Sequence, residues 1–210
     1  MATTTIETFC YPNKIGRIIF FSMEEILGRD GLNAVLNLSV LPQYIDNYPP
    51  NNMDQEFEFE SLGRIHESME NLYGLRGGRG LALRTGRVCM KYGLPEFGPL
   101  MGVNDMAFRL LPVQMKLRAG AEAFARTFSD ITGQPVVYAE EAGRVLWVIE
   151  RCPICWGRQT SHPACHLAVG LLQEAIYWIS GGRYFNVEEV SCIARGDETC
   201  TIAIDKEPID

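Results

Sequence analysis

The chain has 210 residues, of which 47% are hydrophobic and 21% charged, with a formal net charge of -7 and a pI of about 5.1. That composition is enough for a sizeable core and excludes a disordered chain. The acidic balance, without a basic block, argues against direct nucleic-acid binding. No apolar run approaches the ~20 residues of a membrane-spanning helix, and the first residues lack the basic start and apolar stretch of a secretory signal. The expected location is therefore cytoplasmic, where reduced thiols are favoured over structural disulfides.

Residues 1–13 form a polar lead-in that ends at Tyr11-Pro12. Ile15, Ile18, Ile19, Met23, Ile26 and Leu27 recur at helical spacing, and Gly28 and Gly31 break the run. Asp30 can cap a second helix that carries Leu32, Val35, Leu36 and Val40 and ends at Pro42. The alternating residues 56–60 read as a short strand or an extended connector. Residues 1–60 are thus expected to be an N-terminal helical extension. Its apolar surface has the pattern of an interface, which points to a dimerisation element and a homodimer.

Residues 61–210 are expected to be a ligand- and zinc-binding domain. Leu62, Ile65, Met69 and Leu72 mark a helix stopped by Gly74, with His66 on its outer surface. The glycines at 77, 78 and 80 lack the spacing of either common phosphate-binding loop and read as a tight turn into a helix over 81–92. An amphipathic pattern over 103–131 contains Pro112, which predicts a kink or two helices. Residues 135–139 and 144–150 then read as one hairpin, and 184–194 with 200–205 as a second. Between them, residues 165–180 are apolar almost all round, so this helix is expected to be central, with Gly170 allowing a neighbour close. Helices and sequential hairpins together imply an α+β fold, an antiparallel sheet packed with helices.

Five of the seven cysteines fall between residues 152 and 200. Such crowding suits a metal site, a redox pair or plain buried thiols. Cys165, Glu189, Cys192 and Cys200 can supply four ligands to zinc, from a helix start, a strand and the far side of a turn. Side chains alternate along a strand, so Glu189 and Cys192 reach one metal only if the strand bulges near Val190-Ser191. A three-residue loop over 195–197 with a left-handed residue near Gly196 would pair Cys192 with Cys200. Cys152 and Cys155 form a second thiol pair, usable as a knuckle or a redox dithiol. No catalytic residue is assigned. Phe108, Leu111, Met115, Trp147, Trp156 and Tyr177 are expected either to line an apolar pocket between 103–131 and the sheet or to fill the core.

The run Cys152-Pro-x-Cys155-Trp-Gly-Arg158, the Pro-x-Cys at 163–165, the apolar helix ending Gly-Gly, and Glu189-x-x-Cys192-x-Ala-x-Gly-Asp-x-x-Cys200 resemble the 4-vinyl reductase domain, also called the hydrocarbon-binding domain. The likeness covers roughly residues 70–205. It implies a mixed α/β fold that commonly dimerises and is shared with an acyl-chain-holding subunit of a vesicle-tethering complex. In aromatic-responsive activators of this type, the positions matching Cys165, Glu189, Cys192 and Cys200 hold zinc. That agrees with the spacing argument and selects Glu189 over Glu188. The resemblance implies a small-molecule binding protein, for an aromatic, tetrapyrrole or acyl ligand, acting as sensor or carrier with a structural zinc. The alternatives are a vinyl reductase or its accessory protein in (bacterio)chlorophyll biosynthesis, and a dimeric structural adaptor. The sequence shows no nicotinamide, flavin or iron–sulfur fingerprint, which weighs toward a non-enzymatic role.

Overall fold

A computed structural model describes residues 8–101 and 106–209. Parts of the lead-in and of the 103–131 pattern lie outside the described residues. Strand β1 (Cys10–Pro12) leads into helix α1 (Asn13–Leu38), which is interrupted at Gly28 (φ 73°, ψ 164°). Strand β2 (Gln55–Glu58) pairs antiparallel with β1, so the alternating residues after Gln55 do form a strand. Helix α2 (Phe59–Phe97) is interrupted at Gly74 with nearly the same dihedrals (φ 72°, ψ 160°). Both breaks are those that the glycines predict, because only glycine takes this positive-φ conformation without strain.

The turn expected at residues 77–80 is helical instead, and helix α2 runs on through Pro95. The glycines serve packing here. A Cβ on Gly78 would lie 2.7 Å from the Glu70 Cα, across the bend at Gly74. Pro112 separates the short α3 (Met106–Arg109) from α4 (Val113–Thr132), the two-helix form of the expected kink.

The sheet has the order β3-β4-β6-β5, all antiparallel: β3 (Val136–Glu141), β4 (Arg144–Ile149), β5 (Phe185–Ser191) and β6 (Cys200–Pro208). Helix α5 (His166–Ser180) packs across it and ends at Gly181 in the left-handed conformation. Its central place is set by two reciprocal close approaches. A Cβ on Gly170 would lie 1.9 Å from the Leu83 carbonyl oxygen, and one on Gly86 would lie 2.0 Å from the Leu167 carbonyl oxygen. The two helices therefore meet backbone to backbone.

The N-terminal helix is built into this core. Phe20, Met23, Leu32, Val35 and Leu36 are fully buried, and they belong to the same apolar cluster as Ile65, Trp147, Leu172 and Ile202. Burying each such side chain contributes about 1.5–3 kcal/mol. The apolar face of residues 15–41 is thus used within the chain, which removes the surface argument for a dimer interface there. Val40, expected on the second helix, lies beyond its end and is exposed.

Candidate functional site

Five thiols converge where the sheet, α5 and the loop before it meet. Cys152 and Cys155 flank a 3-10 turn (Pro153–Cys155), closed by the Cys155 N–H donating to the Cys152 carbonyl at 3.2 Å. Gly63 lets this turn press on α2, since a Cβ there would lie 2.3 Å from the Trp156 carbonyl oxygen. Cys165 caps the N-terminus of α5, Cys192 follows β5, and Cys200 opens β6. All five are buried. The Cys155 Sγ lies 3.4 Å from the Sγ atoms of Cys165 and Cys200 and 3.6 Å from that of Cys192, and the Cys152 Sγ lies 3.3 Å from that of Cys165.

The structure brings Cys165, Glu189, Cys192 and Cys200 together, with their donor atoms within 4.8 Å of one another. The bulge that this requires is present: β5 shifts register against β6 between Glu189 and Ser191. The expected three-residue loop is not. Ser191 opposes Thr201, so residues 192–199 form the connection, with a 3-10 turn at Ile193–Arg195 and Gly196 left-handed (φ 100°). Cys192 meets Cys200 through that turn, where the Ile193 N–H points at the Cys200 Sγ at 3.2 Å. The Asp197 carboxylate accepts the Cys192 N–H at 2.7 Å and fixes the loop.

Glu189 reaches the start of α5, where its Oε2 accepts the Cys165 N–H at 2.7 Å. Its Oε1 is buried without a protein partner. Burial, reinforced by the neighbouring Cys192, pushes this carboxyl up to about 8. Among the thiols, hydrogen bonds from Cys152 first, and then from Cys165, Cys192 and Cys200, hold Cys155 below the ordinary thiol value. The same network raises Cys165 and Cys200. Proton sharing through S–H···S contacts is how a buried thiol cluster avoids five separate charges. A soft divalent cation would neutralise them directly, so the donor set fits a metal. A tetrahedral zinc–sulfur shell of radius about 2.3 Å has edges of about 3.8 Å, close to the observed contacts.

Beside the cluster lies a polar layer that sequence spacing missed. His66, expected at the surface, is buried, because the outer face of α2 is covered by the loop carrying Arg158 and by the start of α5. The Arg158 guanidinium is also buried, and it bonds the Glu70 carboxylate at 2.7 Å and the Ile154 carbonyl at 3.2 Å. It ties the Cys152–Cys155 turn to α2.

On the other side, an apolar cavity of about 110 Å³ opens between α1, α2, α4, α5 and β4. Ile15, Met90, Phe124, Phe128, Trp147 and Leu171 face it, together with Cys152, Pro153 and Ile154. Its polar features are Thr127 and the buried Tyr11–Gln134 pair, in which the Tyr11 hydroxyl donates to Gln134 Oε1. Burial, and then Cys152 and Cys165, push the Tyr11 phenol well above its usual value, so it remains a donor. Of the residues expected to line a pocket, Trp147 faces this cavity. The other five lie elsewhere. Trp156 packs edge-on to Phe9 and Phe59, Tyr177 stacks on Tyr184, and Met115 is 54% exposed. Phe108 and Leu111 are half-buried near the start of α4, with Phe108 over Gly120. The reason is the rotation of α4: its inward stripe is Leu117, Phe124, Ala125 and Phe128, and α1 closes the cavity from a side that local periodicity does not reveal.

None of the curated proteins compared matches the chain. Three of the solved structures with similar folds are informative. A variant of the H-NOX protein of T. Tengcongensis superposes with a TM-score of 0.58 at 12% identity, covering 93% of this chain and 97% of that one. The H-NOX protein from S. oneidensis in the Fe(II)NO ligation state gives 0.53 at 11%, covering 92% and 98%. The phenol-responsive sensory domain of the transcription activator PoxR, determined with phenol, gives 0.50 at 18%, covering 69% and 72%. These likenesses concern the fold, and the H-NOX ones take in α1. Residues 147–206, which carry β4, the cysteine cluster, α5 and the β5–β6 hairpin, match the family model of the 4-vinyl reductase domain, which bears out over this stretch the resemblance drawn from the cysteine motif.

Proposed function

We propose that this chain is a cytoplasmic sensor or carrier that binds a small apolar molecule about the size of one aromatic ring, in a cavity held in shape by a structural metal. The observation that carries this reading is the cavity itself, about 110 Å³ with an almost wholly apolar wall. A dry cavity of about 150 Å³ lined by Leu, Ile and Phe is known to take benzene. Drug-sized ligands occupy about 300–1,000 Å³. The size therefore favours a single ring over a tetrapyrrole or a long acyl chain. The Tyr11–Gln134 pair and Thr127 offer the few polar groups that a ring hydroxyl would need. The PoxR sensory domain, determined with phenol, supports the same ligand class by fold.

The haem of the H-NOX proteins does not fit here. No histidine faces the cavity among the described residues, and its volume is small for a porphyrin. For the metal, zinc is the expected ion. Cys165 and Cys200 are its anchors, and the resemblance completes the set with Glu189 and Cys192. Bound there, zinc would act structurally, joining the start of α5 to the β5–β6 hairpin.

Calorimetric titration of the metal-loaded protein with phenol, toluene, palmitate and a porphyrin tests the ligand class. Saturable one-to-one binding of the single-ring compounds, with neither of the large ligands bound, is expected. Binding of the porphyrin or palmitate but not of the rings would overturn the reading.

A further inference from the structure

The sequence leaves Cys152 and Cys155 outside the zinc set, as a separate pair. In the structure they are part of the same cluster. The donor atoms of Cys152, Cys155, Cys165 and Cys200 lie within 4.8 Å of one another, a second quartet that shares Cys165 and Cys200 with the first. We infer that the metal of this chain is held by four thiolates, Cys152, Cys155, Cys165 and Cys200, with Glu189 and Cys192 standing outside the coordination shell. This rests on the metal reading above and changes its ligands.

Three observations favour the all-sulfur set. Three of its six edges, Cys152 to Cys165, Cys155 to Cys165 and Cys155 to Cys200, are 3.3–3.4 Å, close to the edge of a zinc–thiolate tetrahedron. The Cys-x-x-Cys turn is closed by backbone hydrogen bonds from Cys155 and Trp156, each at 3.2 Å, which presents both thiols on one side as a knuckle. Glu189 already spends one carboxylate oxygen on the Cys165 N–H at the head of α5. Its other oxygen, Oε1, is the donor that the mixed set would use.

The choice of ligands matters to the cavity. Cys152, Pro153 and Ile154 form part of its wall. With the all-sulfur set, the metal pins that wall to α5 and to the start of β6. With the mixed set, the wall would be held by packing and by Arg158 alone.

X-ray absorption at the zinc edge, on the full chain with its bound metal, decides between them. We expect one zinc per chain with four sulfurs at about 2.3 Å and no oxygen shell. Glu189→Gln should leave that spectrum unchanged, and Cys152→Ser should weaken zinc binding by about tenfold or more. A wild-type shell of three sulfurs and one oxygen, with the oxygen lost in Glu189→Gln, would overturn the assignment, as would purified protein that takes up no zinc. The wild-type spectrum needs no variant to fold. It is also independent of aromatic binding, so failure here leaves the cavity reading standing, and failure of the titrations leaves this one standing.

Discussion

The Gly170 Cα faces the Leu83 carbonyl oxygen so closely that an added methyl would lie 1.9 Å from it. This contact sets the depth of α5, which carries Cys165 at its head and Leu171 and Leu172 on the cavity wall. Gly170→Ala must push two helix backbones apart, and we expect a loss of about 3 kcal/mol or more in urea unfolding. Gly80→Ala is the control. Gly80 lies in α2 with nothing within 4 Å of its added Cβ, so a gain of about 0.5–1 kcal/mol is expected. Equal effects at the two sites would contradict the packing described.

His66 makes stability depend on pH. It is 3% exposed, and neither ring nitrogen has a protein partner. Burial first, and then the positive Arg158, lower its pKa from 6.5 to about 3. The unfolded chain takes up a proton near pH 6.5, while the folded chain resists it down to about 3. The native state is therefore favoured fully above pH 6.5 and loses that contribution as the pH falls toward 3. His66→Leu should reduce the slope of stability against pH in this window by up to about 1.4 kcal/mol per pH unit. The thiol cluster titrates in both proteins and cancels in the comparison. Identical slopes would count against a buried neutral imidazole.

The Arg158–Glu70 pair is a third handle. Breaking a largely buried pair by removing one partner costs about 3–5 kcal/mol. Arg158→Leu should fall toward that range in chemical unfolding, because Glu70 is left facing a half-buried site at 17% side-chain exposure. Lys14–Glu96 is the contrast. Its carboxylate is 46% exposed, and Lys14→Ala should change stability by less than about 1 kcal/mol. A reversed order would be inconsistent with Arg158 holding the Cys152–Cys155 turn in place.

Local signals in the chain carry far in some places and stop in others. Gly28 and Gly74 announce the two helix breaks, and the need for Glu189 and Cys192 to share a site announces the β5 bulge. Both arguments depend on local backbone geometry. The helical course of residues 77–80 is hidden, because Gly78 answers to Glu70, a packing partner across a bend. Spacing puts His66 outside because its cover comes from Arg158 and the start of α5, both distant in sequence. The expected pocket falls on the right helix and strand, yet only Trp147 among the proposed lining residues faces the cavity. Periodicity gives an apolar stripe without saying which neighbour closes over it, and here that neighbour includes α1.

The most direct measurement is the emission of Trp147, buried on the cavity wall. In a protein carrying Trp156→Phe and Trp178→Phe, titration with phenol should give a saturable change in the remaining emission. Ala168→Phe, which puts a ring into the cavity from α5, should abolish that change while leaving the protein folded. An emission that phenol does not move in a saturable way, or a response that survives Ala168→Phe, would contradict the claim that this cavity is the binding site.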